Sequence, residues 1–350
     1  MTAADKDPAE AVIWMIRGQW VTLSLRAAVE LEVFDQLGTP MAISELATAT
    51  SCDPEALVRL IRVLVDLGLI EVSGASIGVG AATAGIVSVT PRGAVLARGH
   101  RSGLRDLLLT QTTVANLAVW QRLAEAIRAG DSVYTEVNGI GPWEMLAANP
   151  ELGANFNGSM ARRGSDQAAA VTSAFDCSDV GTLIDVGGGR GALLAELLTA
   201  FAELRGVVAD RPEVAAVAQV FFTEVGLADR ATAVATDFFE SVPTGGDVYV
   251  VANVLHDWDD EAAVRILKTI RSAMVPSARL WVIERVLDAP DRAFEASRDL
   301  HFVDLHMLAM FGARERTFAE YNDILDAGGF TAGRLMTTNQ SWDIIEVNPR

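Results

Sequence analysis

The sequence is poor in cysteine and has no long apolar run. Its 350 residues include only two cysteines, Cys52 and Cys177, which lie far apart in the chain. This number and spacing argue against a disulfide framework and for a reducing compartment. No stretch approaches the length of a membrane span, and residues 1–12 lack the basic and apolar regions of a signal peptide. We therefore expect a cytoplasmic protein that does not bind membranes.

Positive charge is also scarce. The chain has 28 lysine and arginine residues against 46 aspartate and glutamate residues, so its formal net charge is -18 at pH 7. An acidic surface of this strength repels nucleic-acid phosphates and anionic lipid, and neither is expected as a partner. Half of the residues are hydrophobic, so a chain of this length can bury the core of two domains.

Residues 10–37 repeat apolar residues at helical spacing, on more than one side of the predicted helix. The large side chains are those of Trp14, Ile16, Trp20, Leu23 and Leu25. Such a helix is either buried in its own domain or packed against another chain. We favour the second interpretation, a homodimer interface, and the alternative is a helix of the domain core.

Residues 41–90 follow the order helix, helix, strand, loop, strand that is typical of a winged helix. Asp53 and Pro54 begin the second helix, which is predicted to end at Gly68. The strands are "LIEV" and "IVSVT". In a basic protein this pattern would suggest DNA binding, but the second helix carries more acids than bases. We therefore predict that residues 1–100 form a winged-helix-like dimerisation domain.

Residues 101–175 are predicted to be helical, with breaks at "AGDS" and "NGIGPW". Leu152, Phe156 and Met160 follow one another at intervals of four residues and form one apolar stripe. The stripe is either ordinary core or the wall of an apolar pocket. We assign residues 101–175 as a helical linker that lines the substrate pocket, with Phe156 and Met160 as substrate-binding residues.

From residue 176 onward, apolar strands alternate with helices. Five strand segments precede two apolar segments that fit a terminal hairpin: "TLIDVG", "RGVVAD", "ATAVATDFF", "DVYVVANVL" and "ARLWVIERV", then "TAGRLMTT" and "WDIIEVN". This alternation predicts an α/β fold with a Rossmann-like, doubly wound, mostly parallel sheet. Ligands of such sheets bind at the carboxyl ends of the strands.

Acids and glycines cluster at these predicted strand ends. Asp185, Asp210 and Asp237 end the first three strands, and Gly187 and Gly189 lie in the turn after Asp185. Glycine lets the backbone approach a ligand closely. The spacing of Asp210 from the glycines suits a carboxylate that binds ribose hydroxyls.

The ligand could be a nicotinamide dinucleotide, because residues 187–192 satisfy the pattern G-x-G-x-x-A. Two features favour another ligand. Asp185 is unfavourable beside a pyrophosphate but suits a cationic group, and Asp237 with Phe238 could bind and stack on an adenine. A cationic adenosine ligand without phosphates is S-adenosyl-L-methionine (SAM), whose product is S-adenosyl-L-homocysteine. We also expect Asn253 at the cofactor site.

Six segments, in this order, resemble those of the class I SAM-dependent O-methyltransferases: "DVGGGRG", "VVADRPEV", "ATDFFESVP", "VLHDWDDEAAVRIL", "VIERV" and "GARERTFAEY". This family includes plant caffeate and isoflavone enzymes, hydroxyindole O-methyltransferase and bacterial polyketide O-methyltransferases. The resemblance covers most of the chain and implies a SAM-binding methyltransferase domain over residues 176–350. It also implies that Gly187 approaches the methionine part of SAM, that Asp210 binds the ribose, and that Asp237 and Phe238 bind the adenine.

The resemblance further implies that His256 is the catalytic base, with Glu284 and Glu315 beside it. A phenol has a pKa of about 10, so a base must take its proton at neutral pH, and histidine titrates near that pH. A carboxylate behind the imidazole would fix its tautomer and stabilise the imidazolium. The alternative is a histidine that caps a helix or faces solvent. The chain departs from the plant pattern at Ala252, where plant members often have lysine.

The segment "RDLHFVDLHMLAMFG" is predicted to be an apolar helix beside the substrate. Four of its side chains would suit a flat aromatic guest: those of His306, Met307, Met310 and Phe311. Asp257 is assigned to the same site. His301 and Asp304 have a spacing at which a metal pair is conceivable. We nevertheless expect no metal.

We therefore expect a homodimeric, SAM-dependent O-methyltransferase of secondary metabolism, such as antibiotic biosynthesis. It would methylate a phenolic hydroxyl of an aromatic or polyketide-type small molecule. One alternative is methylation of nitrogen or carbon, and another is a SAM-binding relative that catalyses hydroxylation or a pericyclic step. A winged-helix regulator that senses a ligand is the alternative outside the enzymes, and the acidic charge argues against it.

Overall fold

The computed structural model describes residues 7–74, 85–290, 294–338 and 342–350. The chain divides into two compact units: Met1–Val114 with Ala154–Ser159, and Ala115–Gly153 with Met160–Arg350. The three-part division made from the sequence stays a prediction. Within the described ranges, no helix combines the length and the apolar character that crossing a membrane requires.

The first unit contains helices and a small antiparallel sheet. Its elements are α1 (Pro8–Ile16), α2 (Gly18–Glu30), α3 (Val33–Gln36), β1 (Met41–Ala42), α4 (Ile43–Ala49), α5 (Pro54–Asp66), β2 (Ile70–Ser73), β3 (Ile86–Val89), α6 (Pro91–Ala94) and α7 (Leu104–Gln111). The strand order is β1-β3-β2, and Ile70 pairs with Val89. The order of helices and strands predicted for residues 41–90 is confirmed, with β1 in addition, whereas the single helix predicted over residues 10–37 is wrong, because this segment forms α1, α2 and α3. The loop residues 75–84 lie outside the described residues.

Helix α5 shows why this unit folds as its sequence predicts. The Asp53 side chain accepts a hydrogen bond from the Ala56 amide at 2.8 Å, and Pro54 occupies the first turn. Leu57, Ile61 and Leu64 recur every three or four residues, so they share one face of the helix and are buried in the core of the unit.

The first two helices expose large apolar side chains. Trp14 is 55% exposed, Ile16 is 65% exposed and Trp20 is 59% exposed in the single chain. No residue of α1 is buried, so the alternative of a core helix is wrong for α1. A cluster of exposed apolar side chains of this size is typical of a surface that contacts another molecule.

The chain between the two sheets is helical, as predicted. After α7 it forms α8 (Val114–Gln121), α9 (Leu123–Ala129), α10 (Tyr134–Asn138), α11 (Pro142–Ala148) and α12 (Pro150–Ala174). Helix α12 is one continuous helix of 25 residues, and the Asn149 side chain caps it by accepting the Leu152 amide at 3.1 Å.

The second unit contains a sheet of seven strands among its described residues. Its remaining elements are β4 (Thr182–Val186), α13 (Ala192–Ala200), β5 (Arg205–Asp210), α14 (Pro212–Glu224), β6 (Ala231–Ala235), β7 (Val248–Ala252), α15 (Asp260–Ala273), β8 (Arg279–Glu284), α16 (Phe294–Phe311), α17 (Phe318–Ala327), β9 (Arg334–Thr337) and β10 (Asp343–Val347). The strand order is β6-β5-β4-β7-β8-β10-β9. Strands β4 to β8 are parallel, while β10 pairs antiparallel with both β8 and β9.

This sheet confirms the predicted doubly wound fold and its terminal hairpin. Successive strand residues point to opposite faces, so Leu183 packs in the apolar cluster on one face and Ile184 in the cluster on the other. The third strand is shorter than predicted. It ends at Ala235, because the Asp237 carboxylate accepts the Phe239 amide at 2.9 Å and forms a turn there.

Candidate active site

The parallel pairing of β5, β4, β7 and β8 brings their carboxyl ends to one edge of the sheet. Asp185 is the penultimate residue of β4, Asp210 is the last residue of β5, and Glu284 is the last residue of β8. His256 follows the end of β7 in a short 3₁₀ turn, Leu255–Asp257. The sequence prediction that these residues meet at the strand ends is therefore confirmed by the topology.

Asp185 is a buried carboxylate with unused hydrogen-bonding capacity. It is 1% exposed, and neither of its oxygens has a hydrogen-bond partner among the described residues. Burial and the nearby charge of Asp210 raise its pKa to about 7. An unpaired buried carboxylate is costly to keep, and a cationic ligand would compensate it.

The glycine turn is tied to the end of β5. The Gly187 amide donates to the Ala209 carbonyl at 2.8 Å, and the Gly189 amide donates to the Asp210 carboxylate at 2.8 Å. The Arg211 amide donates to the other oxygen of Asp210 at 2.7 Å. Burial raises the pKa of Asp210, although both amides stabilise its charged form. Because Asp210 accepts the Gly189 amide, its side chain holds the glycine turn in place.

Asp237 and Phe238 lie in the loop after β6. Asp237 is exposed, and the Phe238 ring lies 5.1 Å from that of Phe239 and 6.1 Å from that of Trp258. An exposed acid beside an aromatic ring fits the adenine of a nucleoside. Together with the unpaired Asp185, these residues fit a cationic adenosine ligand such as SAM.

The loop after β7 turns sharply at Asn253. This residue has φ 57°, in the left-handed region, and its amide donates to the Ile283 carbonyl of β8 at 2.9 Å. The turn directs the chain into the 3₁₀ segment with His256, which is 2% exposed. A capping or solvent-facing histidine is therefore the wrong interpretation of His256.

Glu315 is the carboxylate that forms a hydrogen bond with the imidazole. His256 Nδ1 lies 2.8 Å from Glu315 Oε1, and both side chains are buried. On the other side of the ring, Nε2 lies 3.4 Å from Asp257 Oδ1. Glu284 instead accepts the amides of Val254 and Leu255, at 3.1 and 3.0 Å, so it holds the backbone of the loop.

These carboxylates control the ionisation of His256. Burial alone would lower its pKa, but the charges of Glu315, Glu284 and Asp257 outweigh burial and raise the pKa to about 9. Burial and the charges of Glu315 and Asp257 raise the pKa of Glu284 to about 7. His256 is therefore expected to hold its proton at neutral pH in the free protein.

The side chains of His256, Glu284 and Glu315 lie as close together as metal ligands do, but their hydrogen bonds do not favour a metal. Ligand atoms of His256, Glu284 and Glu315 lie within 4.8 Å of one another. However, His256 Nδ1 and Glu315 Oε1 already share a hydrogen bond, and Glu284 is engaged with two amides. Asp304, from the conceivable pair with His301, accepts the Glu315 amide at 2.9 Å. The absence of a metal stays a prediction.

Sequence reasoning missed Arg316, the residue after Glu315. Its guanidinium is fully buried and donates to the carbonyls of Leu255 and Trp258, both at 2.7 Å, and to Asp260. The motif "GARERTFAEY" contained the signal, because its arginine lies directly beside Glu315, the acid predicted to flank His256. Its partners lie more than fifty positions earlier, and the motif alone does not identify them.

The predicted substrate-binding residues are spread over several elements. Met307 and Met310 are buried, and Met310 packs in an apolar cluster with Val119 and Tyr134. The other contacts are aromatic: His306 stacks on Trp120 at 6.0 Å, and Phe311 lies 5.1 Å from Trp143. Met160 belongs to the second unit and Phe156 to the first. Their contact with a substrate stays a prediction.

A doubly wound sheet with an acid-flanked glycine turn, together with a winged-helix-like unit, defines a class I methyltransferase that uses SAM. The O-methyltransferase domain family matches residues 120–331, and the O-methyltransferase dimerisation domain family matches residues 14–99. The chain belongs to the O-methyltransferase family and is a SAM-dependent O-methyltransferase.

Named relatives agree with this assignment. The mitomycin biosynthesis 6-O-methyltransferase of Streptomyces lavendulae is 34% identical over 96% of this chain and 93% of its own length. The crystal structure of LaPhzM has a TM-score of 0.90 at 32% identity and covers 99% of this chain and 100% of its own. NcsB1 from neocarzinostatin biosynthesis, solved with SAM and 2-hydroxy-5-methyl naphthoic acid, has a TM-score of 0.77 at 32% identity, with coverages of 94% and 96%.

The ionisation of His256 can be tested directly. In the free protein, we expect the NMR signal of its ring C–H to titrate near pH 9, above the ordinary value of 6.5. The variant Glu315→Gln should lower the midpoint, because it removes the carboxylate that holds the proton on Nδ1. His256→Ala assigns the signal, and Asp299→Asn, an exposed acid of α16, is the control. If the titration midpoint of His256 is the same in Glu315→Gln as in the wild type, the hydrogen bond between His256 and Glu315 does not control this pKa.

Proposed function

We propose that this enzyme methylates a phenolic hydroxyl of an aromatic or polyketide-type small molecule in secondary metabolism, with His256 as the base. The observation that carries the proposal is the buried pair of His256 and Glu315 at the edge that also holds Asp185 and the glycine turn. The acceptor class is supported by NcsB1, which was solved with a hydroxylated naphthoic acid, and by the similarity to an O-methyltransferase of mitomycin biosynthesis.

In the proposed reaction, the phenol donates its proton to His256 Nε2, because Glu315 holds Nδ1 at 2.8 Å, whereas the contact of Nε2 with Asp257 is longer, at 3.4 Å. The imidazolium that forms keeps its Nδ1–H on the Glu315 carboxylate, so its charge is paired. When bound, SAM supplies an electrophilic methyl carbon with a neutral sulfur leaving group. His256 and the loop that carries it would hold the phenolate oxygen towards that carbon, because orientation is the main requirement of such a transfer.

The raised pKa of His256 is compatible with this role only if the imidazole loses its proton before the acceptor reacts. A cation bound at the same edge of the sheet disfavours a second positive charge on His256. We therefore infer that His256 is protonated in the free enzyme and becomes a neutral base more easily in the cofactor complex. The rate on a phenol should rise with pH until the imidazole is neutral.

We further propose how the edge holds SAM. Asp185 would pair with its positively charged part, while Gly187 and Gly189 let the methionine part approach the backbone. Asp210 would bind the ribose. The adenine would lie at Asp237 and Phe238, and Asn253 would complete this site. Glu284 would serve by holding the loop that carries His256.

Asp185 offers a clean test of this arrangement, because its side chain makes no hydrogen bond among the described residues. Asp185→Asn should weaken SAM binding by about 1.5–3 kcal/mol, the loss of a charge-assisted interaction, without lowering the melting temperature. In the wild type, affinity should fall as pH drops through about 7, because the carboxylate becomes protonated. The variant should lose this pH dependence.

Calorimetry with SAM and S-adenosyl-L-homocysteine measures both effects, and Asp229→Asn, an exposed acid, is the matched control. Binding of a nicotinamide dinucleotide in place of SAM would overturn the cofactor site. Equal affinity of Asp185→Asn and wild type would remove Asp185 from it.

His256→Ala tests the base. Turnover of a phenol of ordinary pKa should fall by roughly two to four powers of ten, the usual effect of losing a positioned base, while SAM affinity stays within about twofold. A phenol acidified by an electron-withdrawing substituent should lose much less, because it ionises without help. Activity should also survive a chelator.

Near-normal turnover of the variant on an ordinary phenol would show that His256 is not the base. Mass spectrometry of the product provides the second readout. A product that lacks the methyl mass and gains oxygen would instead support the alternative of hydroxylation.

We also propose that the enzyme is a homodimer formed through residues 1–100. The match to a dimerisation domain and the exposed apolar side chains of α1 and α2 support this proposal. Ile13 is 43% exposed and Ile16 is 65% exposed in the single chain, so both are available to a partner.

Replacing Ile13 and Ile16 together by aspartate should weaken the dimer at least about 100-fold, because burying each apolar side chain contributes about 1.5–3 kcal/mol. The fold of the single chain should persist, since neither residue is buried in it. Light scattering over a dilution series measures the assembly, and Val217→Asp, on the exposed face of α14, is the control. A dimer of unchanged affinity would place the interface elsewhere.

A further inference from the structure

Arg316 is a fully buried arginine with an unusual set of partners. Its Nη1 donates to the Leu255 carbonyl at 2.7 Å, and its Nη2 donates to the Trp258 carbonyl at 2.7 Å. Its Nε and Nη2 both donate to Asp260 Oδ1, at 3.0 and 2.8 Å. All of these acceptors lie in residues 255–260, the segment that contains His256.

The guanidinium is well suited to this position. Its donors form a planar fork, so one side chain reaches two carbonyls and a carboxylate at once, which a lysine ammonium cannot do with the same geometry. The charge is paired with Asp260, whose pKa is lowered by Arg316 and Arg314 although burial opposes this. A buried guanidinium without such partners would be strongly destabilising.

The backbone around Arg316 is also fixed. Its own carbonyl accepts the Leu287 amide at 2.9 Å, and the preceding Glu315 amide donates to Asp304 at 2.9 Å. Glu315 and Arg316 are therefore adjacent residues on one anchored segment between α16 and α17. The first contacts the imidazole of His256, and the second contacts the backbone on both sides of it.

The loop that carries His256 is therefore held through its backbone amides and through its backbone carbonyls. Glu284 accepts the amides of Val254 and Leu255, and Arg316 donates to the carbonyls of Leu255 and Trp258. These contacts restrain the peptide groups before and after His256. A shift of the loop would change the distance between His256 Nδ1 and Glu315 Oε1, which is 2.8 Å.

We propose that Arg316 is a positioning residue for methyl transfer, which acts through His256 by fixing the loop that carries it. This proposal rests on the proposed role of His256 as the base. Arg316 touches neither the acceptor nor the cofactor in this role. Its loss should therefore lower kcat and leave the affinity for SAM nearly unchanged.

The test compares Arg316→Lys with Arg314→Lys. Both variants keep a positive charge beside Asp260, but the exposed Arg314 contacts Asp260 and Glu320 rather than the loop carbonyls. Arg316→Lys should lower kcat on an ordinary phenol about 10- to 100-fold, because a misplacement of about 1 Å costs that much in rate. Arg314→Lys should stay within about twofold of the wild type.

Three readouts separate a positioning role from a merely structural one. The loss should be much smaller on an acidified phenol, which needs no base. Adding Arg316→Lys to His256→Ala should lower kcat little further, because both changes remove the same function. The NMR titration midpoint of His256 should fall below that of the wild type, because a displaced loop weakens the contact with Glu315 that raises the pKa.

Asp260→Asn serves as a second variant if Arg316→Lys folds poorly. It weakens the two hydrogen bonds from Arg316 to Asp260 and keeps those to the carbonyls of Leu255 and Trp258. Asp260→Asn should lower kcat less than Arg316→Lys does, and it should give the same results with the acidified phenol, the double variant and the NMR titration. Independent, multiplicative losses in the double variant with His256→Ala, or an equal loss on both phenols, would overturn the proposal for Arg316. Near-normal turnover of His256→Ala alone would instead overturn the role of His256, so the two failures are distinguishable.

Discussion

The hydrogen bond between His256 Nδ1 and Glu315 Oε1 is the interaction on which the organisation of this edge depends. It joins residues 59 positions apart, one in the loop after β7 and one in the segment between α16 and α17. Burying a histidine and several acids together is unfavourable unless each has a partner. His256 and Glu315 are partners of each other, and the amides of Val254 and Leu255 are the partners of Glu284. Arg316 and Asp304 hold backbone groups of the two segments that carry this pair.

The sequence was sufficient to predict what depends on local pattern. Strand and helix alternation from residue 176 onward predicts the doubly wound sheet, and the position of Asp185, Asp210 and His256 after strands places them at one edge. This works because parallel strands end on the same side of a sheet. The Asp53 cap of α5 was predictable for the same reason, since it involves residues only three apart.

What the sequence did not predict depends on contacts between distant segments. Nothing local distinguishes Glu284 from Glu315, yet one holds amides and the other holds the imidazole. Arg316 was missed because its partners belong to another element. The pKa of His256 could not be predicted from the sequence either. Burial lowers it and three carboxylates raise it, so the net shift depends on distances that only the structure gives.

The position of Glu315 and Arg316 along the chain has a consequence for how such an enzyme can diversify. Helix α16, which carries His306, Met307, Met310 and Phe311, ends at Phe311, before the anchored segment begins. Substitutions at these four positions can therefore change the side chains of the helix, provided that Asp304 on the same helix, which anchors the Glu315 amide, is kept. Libraries that vary these four positions and leave Asp304, Glu315 and Arg316 intact would change the helix surface while the contacts around His256 are kept.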